Sequence, residues 1–158
     1  FHVVARRVGG PHAVAEAFFA STGAAFRHGG HQAFYAPARD VIQLPPLPAF
    51  RDAEAYASVK AHELVHWTGH PSRNARAFGK RFGDQAYAFE ELVAEIGAAF
   101  LCAHLGVTPE IREDHAAYLS HWLTVLQQDK RAVFSAAAHA QRAVDFLQGL
   151  QQAETMAA

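Results

Sequence analysis

The sequence contains very little cysteine and no long apolar run, and each absence excludes a class of protein. Cys102 is the only cysteine, so an internal disulfide and a cysteine-based zinc site are excluded, and a reducing compartment is favoured. No segment approaches the roughly 20 consecutive apolar residues of a membrane-spanning helix, and no secretory signal opens the chain. We therefore expect a cytoplasmic protein with no membrane contact.

An excess of charge of one sign is also missing. Lysine and arginine number 14 and aspartate and glutamate 15, which leaves a net charge of −1 at pH 7. Because duplex DNA is usually bound by a clustered basic surface, this segment is expected to bind nucleic acid poorly on its own.

The length and the apolar content predict one globular domain. The chain has 158 residues, of which 51% are hydrophobic, enough to bury a substantial core in a domain spanning residues 1–158. The first residue is Phe1 instead of methionine, so we expect the sequence to be part of a longer protein.

Short strands and a helical majority are predicted along the chain. Residues 24–46 alternate aromatic and β-branched residues with polar ones, which predicts two or three short strands. Predicted helices run from Pro11 to Gly23, from Asp52 to Gly69, from Asp84 to Gly106, from Thr108, and from Asp129. The apolar residues of the last helix are assigned to the core: Val133, Phe134, Val144, Phe146 and Leu147. The predicted fold class is α+β, with a small, mostly antiparallel sheet packed on the helices.

The segment AHELVHW, residues 61–67, carries the clearest chemical pattern in a chain with eleven histidines. On a helix, His62 and His66 are four residues apart and lie on one face, where two imidazoles can bind one metal ion. Glu63 is placed to take a proton from metal-bound water without being a ligand. The alternative is that a histidine-rich sequence produces the pattern by chance, and a third ligand would distinguish the two interpretations.

The following helix offers that third ligand, since a catalytic zinc site has three protein ligands and an open position. Glu91 and Glu95 are four residues apart, so one acid can bind the metal while the other supports a histidine. Glu90 is expected to point elsewhere. Small residues on the same face would allow a close approach to the HExxH helix: Ala88, Ala98, Ala99 and Cys102. The packing of this helix is assigned to its large apolar residues: Leu92, Val93, Ile96 and Phe100.

A metallopeptidase also needs a donor for the oxyanion that develops on the attacked carbonyl. His115, Tyr118 and Trp122 are at positions i, i+3 and i+7 of a downstream helix, and either of the first two could reach over the site. The alternative is that His115 and Tyr118 only pack between helices.

Three ordered motifs resemble one known family: HELVHWTGHPSR, RFGDQAYAFEELVAEIGAAFLCAHLG and EDHAAYLSHWLTVLQQDKRAVFSAAAHAQRA. They are similar to the C-terminal zincin-like metallopeptidase domain of ArdC-type antirestriction proteins and TraC-type plasmid primases, over nearly the whole chain. The resemblance implies a zincin-like fold with the HExxH motif on a central helix. In that family a separate N-terminal domain binds single-stranded DNA, so that partner is expected only through a domain missing from this sequence.

The FEELVAEIG segment is also similar to the third-ligand helix of gluzincin peptidases. That similarity implies Glu91 as the ligand and Glu95 as the support of a histidine. Gluzincins usually have aspartate at the second position, so which of the two acids binds the metal stays open.

These observations lead to the hypothesis of a zinc-dependent metallopeptidase domain in an antirestriction-type protein of a plasmid or other mobile element. His62, His66 and Glu91 would hold Zn²⁺, and Glu63 would activate zinc-bound water to attack a peptide bond of a protein or peptide. The alternative is a metal-stabilised, non-catalytic interaction module that supports a DNA-binding antirestriction protein. The sequence identifies neither a substrate-binding residue nor an oligomeric state.

Overall fold

The computed structural model describes residues 10–79, 85–109 and 115–157, and within these ranges it contains five α-helices and a three-stranded sheet. The predicted α+β class is confirmed. The helices are α1 (Pro11–Ala20), α2 (Ala53–Thr68), α3 (Gln85–Leu105), α4 (His115–Gln128) and α5 (Ala132–Ala157). The strands are β1 (Ala25–His28), β2 (Phe34–Ala36) and β3 (Val41–Leu44), followed by a short 3-10 helix, Leu47–Ala49.

The sheet is mixed, with the strand order β1-β3-β2, instead of mostly antiparallel. β3 pairs antiparallel with β2 across a turn in which Asp40 has a φ of 50°, and it pairs parallel with β1, where Phe26 lies opposite Ile42. Gly29 and Gly30 have φ of 148° and 65°, which glycine adopts without strain, and they turn the chain after β1. The chain then crosses to the other edge of the sheet, where it forms β2. Residue alternation predicts strands but not the direction in which they pair, so the parallel pairing is not predictable from it.

Helix α2 carries the HExxH motif through the middle of the fold. Asp52 caps its start by accepting a hydrogen bond from the Ala55 amide at 2.7 Å, and the helix ends at Gly69, as predicted. Nearly all of residues 55–68 are buried. A helix buried on every side is held by its neighbours, which here are α1, α3, α5 and the strands β2 and β3.

Arg73 ties the end of α2 to the sheet. Its Nε donates to the Trp67 carbonyl at 2.7 Å, its guanidinium stacks 3.8 Å from the centre of the Trp67 ring, and its Nη1 donates to Asp40 at 3.1 Å. The Tyr35 hydroxyl also donates to Asp40, at 2.7 Å. Burial and the Asp40 carboxylate raise the pKa of Tyr35 well above its usual value, so the hydroxyl remains a donor at neutral pH.

Helix α3 packs closely against α2 because small residues face the contact. A Cβ atom on Gly97 would lie 2.9 Å from a Val65 methyl group, so only glycine fits there without displacement. Among the small residues predicted to face α2, Ala99 is exposed and the others are buried: Ala88, Ala98 and Cys102. This close approach brings the acids of α3 to the histidines of α2.

Some large apolar residues assigned to the core lie at the surface instead. Phe100 of α3 is 39% exposed and Phe134 of α5 is 75% exposed. Helix α5 packs on α3 through buried alanines, Ala136, Ala140 and Ala143, and the larger side chains of α3 that contact them are only partly buried: Phe89, Leu92 and Ile96. Val93, Val144 and Leu147 are buried as predicted. Despite the exposed phenylalanines, no helix of the described ranges is long and apolar enough to cross a membrane.

The substitution Gly97→Ala is expected to lower the free energy of unfolding by about 1–3 kcal/mol, because the added methyl overlaps Val65 and separates α3 from α2. Urea denaturation followed by circular dichroism measures this change. The control is Gly149→Ala in α5, where a Cβ atom meets nothing within 4 Å. It should stabilise the protein by about 0.5–1 kcal/mol through higher helix propensity. Equal effects of the two substitutions would show that the contact is not tight.

Candidate metal centre

His62 and His66 meet on the buried face of α2 that is turned to α3. They are 2% and 8% exposed, and their Nε2 atoms are 3.1 Å apart. The four-residue spacing therefore brings the two imidazoles together as predicted, with both Nε2 atoms beside the same space.

Glu91 completes a group of three donors. Its carboxylate oxygens lie 3.4 Å from His62 Nε2 and 3.1 Å from His66 Nε2. All three side chains are buried. Within the part of the chain that the structure describes, they form the only group of three or more His, Cys, Asp or Glu residues close enough to hold a metal ion.

The donor set and its spacing fit a divalent transition metal. Four ligands placed at about 2.0–2.1 Å around tetrahedral zinc are separated by about 3.3–3.4 Å, close to the distances observed here. Two imidazoles and one carboxylate leave a fourth position for solvent or substrate, which is typical of catalytic rather than structural zinc sites. The carboxylate also suits Mn²⁺, so the donor set by itself does not select one ion.

A separate carboxylate lies beside each histidine. His62 Nδ1 is 2.9 Å from Glu95, and His66 Nδ1 is 3.1 Å from Glu90. A carboxylate at Nδ1 orients the ring and selects the tautomer in which Nε2 has a free lone pair for a metal. Glu95 thus lies next to the imidazole of His62, a candidate ligand, which is the position expected for a supporting acid.

The prediction that Glu90 points elsewhere is wrong. Glu90 is 2% exposed and lies between His66 and Arg76, whose Nε donates to it at 2.9 Å. Arg76 also donates to the Val65 carbonyl at 2.6 Å and to the Thr68 hydroxyl at 2.9 Å. Consecutive helix positions are separated by about 100°, so neighbouring glutamates of α3 can approach the two sides of one imidazole. The adjacent glutamates of α3 were visible in the sequence as candidate site residues. No sequence pattern pointed to Arg76, because its contact with Glu90 depends on the path of the loop after α2.

In the metal-free chain, the neighbouring acids favour protonation of both histidines. Burial by itself lowers the pKa of His66, but hydrogen bonds to Glu90 and Glu91 outweigh it and raise this pKa to about 10. The pKa of His62 is also raised, because Glu91 and Glu95 outweigh its burial. Burial raises the pKa of Glu91, yet both histidines outweigh it and hold this pKa well below its usual value. A metal ion must displace these protons, so its binding depends on pH.

Glu63, the candidate base, is buried beside the first histidine. It is 3% exposed, and its charge contributes to the raised pKa of His62. It is not a member of the group of three donors, as expected for a residue that acts on water without binding the metal.

His115 and Tyr118, the candidate oxyanion donors, belong to α4. Their side chains lie outside the described part of the structure. The role assigned to them stays a prediction.

Comparison with known proteins identifies the class to which this fold and site belong. The sequence profile of the zincin-like metallopeptidase family, MPTase-PolyVal, matches residues 13–139, a range that includes all three donors. The chain belongs to the zincin-like metallopeptidase family. The zincin-like fold expected from the sequence is thereby confirmed.

Particular relatives include an antirestriction protein and a primase. The Mn(II)-bound crystal structure of antirestriction protein ArdC from plasmid R388 matches with a TM-score of 0.79 and 45% identity, over 90% of this chain and 53% of that chain. Its metal-free structure matches with a TM-score of 0.76 and 47% identity, over 86% and 49%. Protein y4eC of Sinorhizobium fredii, which is uncharacterised, is 45% identical over 87% of this chain and 45% of its own length. DNA primase TraC of Escherichia coli is 44% identical over 87% of this chain and 13% of its own length.

The present chain therefore spans about half of ArdC and of y4eC, and a small part of TraC. The predicted resemblance to the ArdC and TraC proteins is confirmed.

The substitutions Glu91→Gln and Glu95→Gln are expected to weaken metal binding to different extents. Loss of Glu95 removes the support of a ligand and should lower metal affinity about 10- to 100-fold. Loss of Glu91 removes a donor and should lower it further. Competition with a chromophoric chelator measures both affinities, and the opposite ranking would make Glu95 the third ligand.

In the metal-free protein, the free energy of unfolding is expected to fall as the pH rises from neutral towards about 10. The pKa of His66 is 6.5 in its ordinary state and about 10 in the folded chain, so the folded state binds this proton more tightly. The stabilisation is complete below the unfolded pKa and is lost as the pH rises through the folded pKa. Urea denaturation of chelator-treated protein across this range measures the change.

Added metal should oppose this decline, because metal binds neutral imidazoles and its stabilisation grows as the protons leave. A metal-free chain whose stability is constant over the same pH range would contradict the raised pKa of His66.

Proposed function

We propose that this chain is a zinc-dependent peptidase domain that hydrolyses peptide bonds, within an antirestriction-type protein of a mobile element. The observation that carries the proposal is the group His62, His66 and Glu91, whose donor atoms lie 3.1–3.4 Å apart. Three protein ligands are the number typical of a catalytic zinc site. Membership of the zincin-like metallopeptidase family supports the same reaction class.

His62, His66 and Glu91 would hold the zinc ion. When bound, the ion supplies Lewis acidity, which polarises the substrate carbonyl and lowers the pKa of a water molecule towards about 7. The remaining chemistry belongs to side chains of this protein.

Glu63 is the residue that moves the proton in this proposal. It accepts a proton from the attacking water and returns it to the leaving amine nitrogen as the peptide bond breaks. Its burial suits this role, because a carboxylate with little contact to solvent can pass a proton on without exchange with bulk water.

The supporting acids keep the two imidazoles in place. Glu95 beside His62 and Glu90 beside His66 fix both Nδ1 atoms, so the rings do not need to reorient when a metal binds. Arg76 neutralises Glu90, which would otherwise be a buried carboxylate facing a neutral imidazole. The pair Arg76–Glu90 is therefore part of the proposed machinery.

The biological setting is proposed from similarity. ArdC of plasmid R388 is an antirestriction protein, and this chain matches it at 45% identity. Because the chain spans 53% of ArdC, the antirestriction activity of a whole protein is carried over here as a proposal only. Manganese was bound in one ArdC structure, and zinc is proposed here from the reaction class.

A non-catalytic role has one observation in its favour. Glu63 is 3% exposed, so a water molecule and a substrate carbonyl must reach a nearly closed position. A domain that uses its metal only to fix α2 against α3 would present an interaction surface to a partner and would not need that access.

The substitution Glu63→Gln tests the proposed function. Hydrolysis of an unfolded protein such as casein by the zinc-loaded chain should fall by about 10²- to 10⁴-fold, because the substitution removes the proton acceptor. Zinc content should not change, since Glu63 is not a donor. The matched control is Glu54→Gln in the first turn of the same helix, which should keep full activity.

Equal hydrolysis by the wild type and by Glu63→Gln would exclude the peptidase mechanism. If the wild type loaded with zinc or manganese cleaves no peptide, and Glu63→Gln protects DNA in a restriction assay as well as the wild type does, the non-catalytic module is the better description.

A further inference from the structure

A cavity of about 460 Å³ lies beside the Arg76–Glu90 ion pair, which supports His66, and it is separate from the three candidate metal donors. Its walls come from the loop after α2, the first turns of α3, the end of α4 and the first half of α5. None of the three metal-donor residues lines it, but Arg76 and Glu90 do. The ion pair that holds His66 is thus also one wall of this cavity.

The other walls are mostly apolar. Ala77, Ala86 and Val125 contribute methyl groups, and Phe89 contributes an aromatic ring. Phe89 packs edge to face against His139, with ring centres 5.8 Å apart. The volume is within the range of about 300–1,000 Å³ that is typical of small-molecule sites.

The polar groups of the inner wall already have partners in the protein. Arg76 donates to both oxygens of Glu90, each at 2.9 Å, and to the Thr68 hydroxyl at 2.9 Å. Arg142 donates to His139 Nδ1 at 2.8 Å. Burial, together with the nearby charges of Arg142 and Arg76, lowers the pKa of His139, so this imidazole is neutral at pH 7.

Asp129, the other acidic residue among the described lining residues, is paired as well. Asp129 accepts a hydrogen bond from the Arg131 amide at 2.9 Å and forms an ion pair with the Arg131 side chain at 3.3 Å. A charged ligand would therefore lose its hydration in this cavity without gaining a counter-ion. His139 can donate to a ligand, because its Nδ1 accepts from Arg142 and the neutral ring therefore has its proton on Nε2. The amides of Gln85 and Gln128, which also line the cavity, hydrogen-bond to each other.

We propose that this cavity binds a small, uncharged, mostly apolar molecule with one or two rings and one hydrogen-bond acceptor, and that its binding is coupled to metal binding. The apolar walls and Phe89 select the rings, the pairing of Arg76 with Glu90 and of Asp129 with Arg131 disfavours ions, and His139 supplies a donor. The site does not depend on peptide hydrolysis.

Glu90 provides the coupling, since it touches both His66 and the cavity. The Arg76–Glu90 pair is already buried, so a ring packed against it acts by restricting the movement of Glu90, which keeps the carboxylate where it accepts the hydrogen bond from His66 Nδ1. That bond orients His66 towards the metal, so an occupied cavity raises metal affinity. By linkage, bound metal raises the affinity of the cavity for its ligand by the same factor.

Acetophenone is a suitable probe, and benzoate is its charged counterpart of similar size. Titration of the whole chain, followed by two-dimensional NMR, should show saturable shifts at residues lining the cavity with acetophenone and none with benzoate. Zinc affinity, measured by chelator competition, should rise about fivefold with acetophenone at saturation, at the lower end of known allosteric couplings.

The variants Ala86→Leu and Ala77→Leu fill the cavity from two different elements, and each should abolish the saturable shifts. Ala99→Leu, on the exposed side of α3, is the matched control and should bind acetophenone like the wild type. Binding that persists in both filled variants, or equal binding of benzoate, would overturn the assigned site. A zinc affinity that does not respond to acetophenone would overturn the coupling. None of these measurements uses hydrolysis, so this proposal and the peptidase mechanism can fail separately.

Discussion

The close contact between α2 and α3 is the constraint on which the candidate metal centre depends. One helix can direct two imidazoles at a metal, but the third donor must come from another element, and a glutamate side chain has a short reach. Gly97 opposite Val65 lets the two helices approach until Glu91 lies within 3.4 Å of both imidazoles. The alanines between α3 and α5 maintain the same close packing on the other side of α3. Helix contacts therefore set the positions of the site residues.

Charge balance is the second organising feature of the centre. Three buried or partly buried glutamates of α3 surround two imidazoles, and each has a cationic or protonated partner: Arg76 and His66 for Glu90, both histidines for Glu91, and His62 for Glu95. The acids favour protonation of the imidazoles in the metal-free chain, and a divalent ion bound at this centre would replace those protons.

The loop after α2 has a larger role than its composition indicates. Arg73 joins the end of α2 to the sheet, and Arg76 returns to support Glu90 and to line the neighbouring cavity. Two arginines that the sequence presents as ordinary loop residues therefore connect the sheet, the motif helix and the metal-ligand support. The exposed phenylalanines Phe100 and Phe134 lie outside the buried contact that the alanines of α5 make with α3.

The sequence by itself determined the helices, the α+β class and the two-histidine motif, because caps, periodicity and four-residue spacing are local properties of the chain. It also limited the third donor to Glu91 or Glu95, since both lie one turn apart on a helix with a small-residue face. Only the tertiary structure decided that Glu91 faces both Nε2 atoms, that Glu90 supports His66, and that β1 and β3 run parallel. These features depend on how helices cross and how loops return, and local sequence patterns do not encode such long-range geometry.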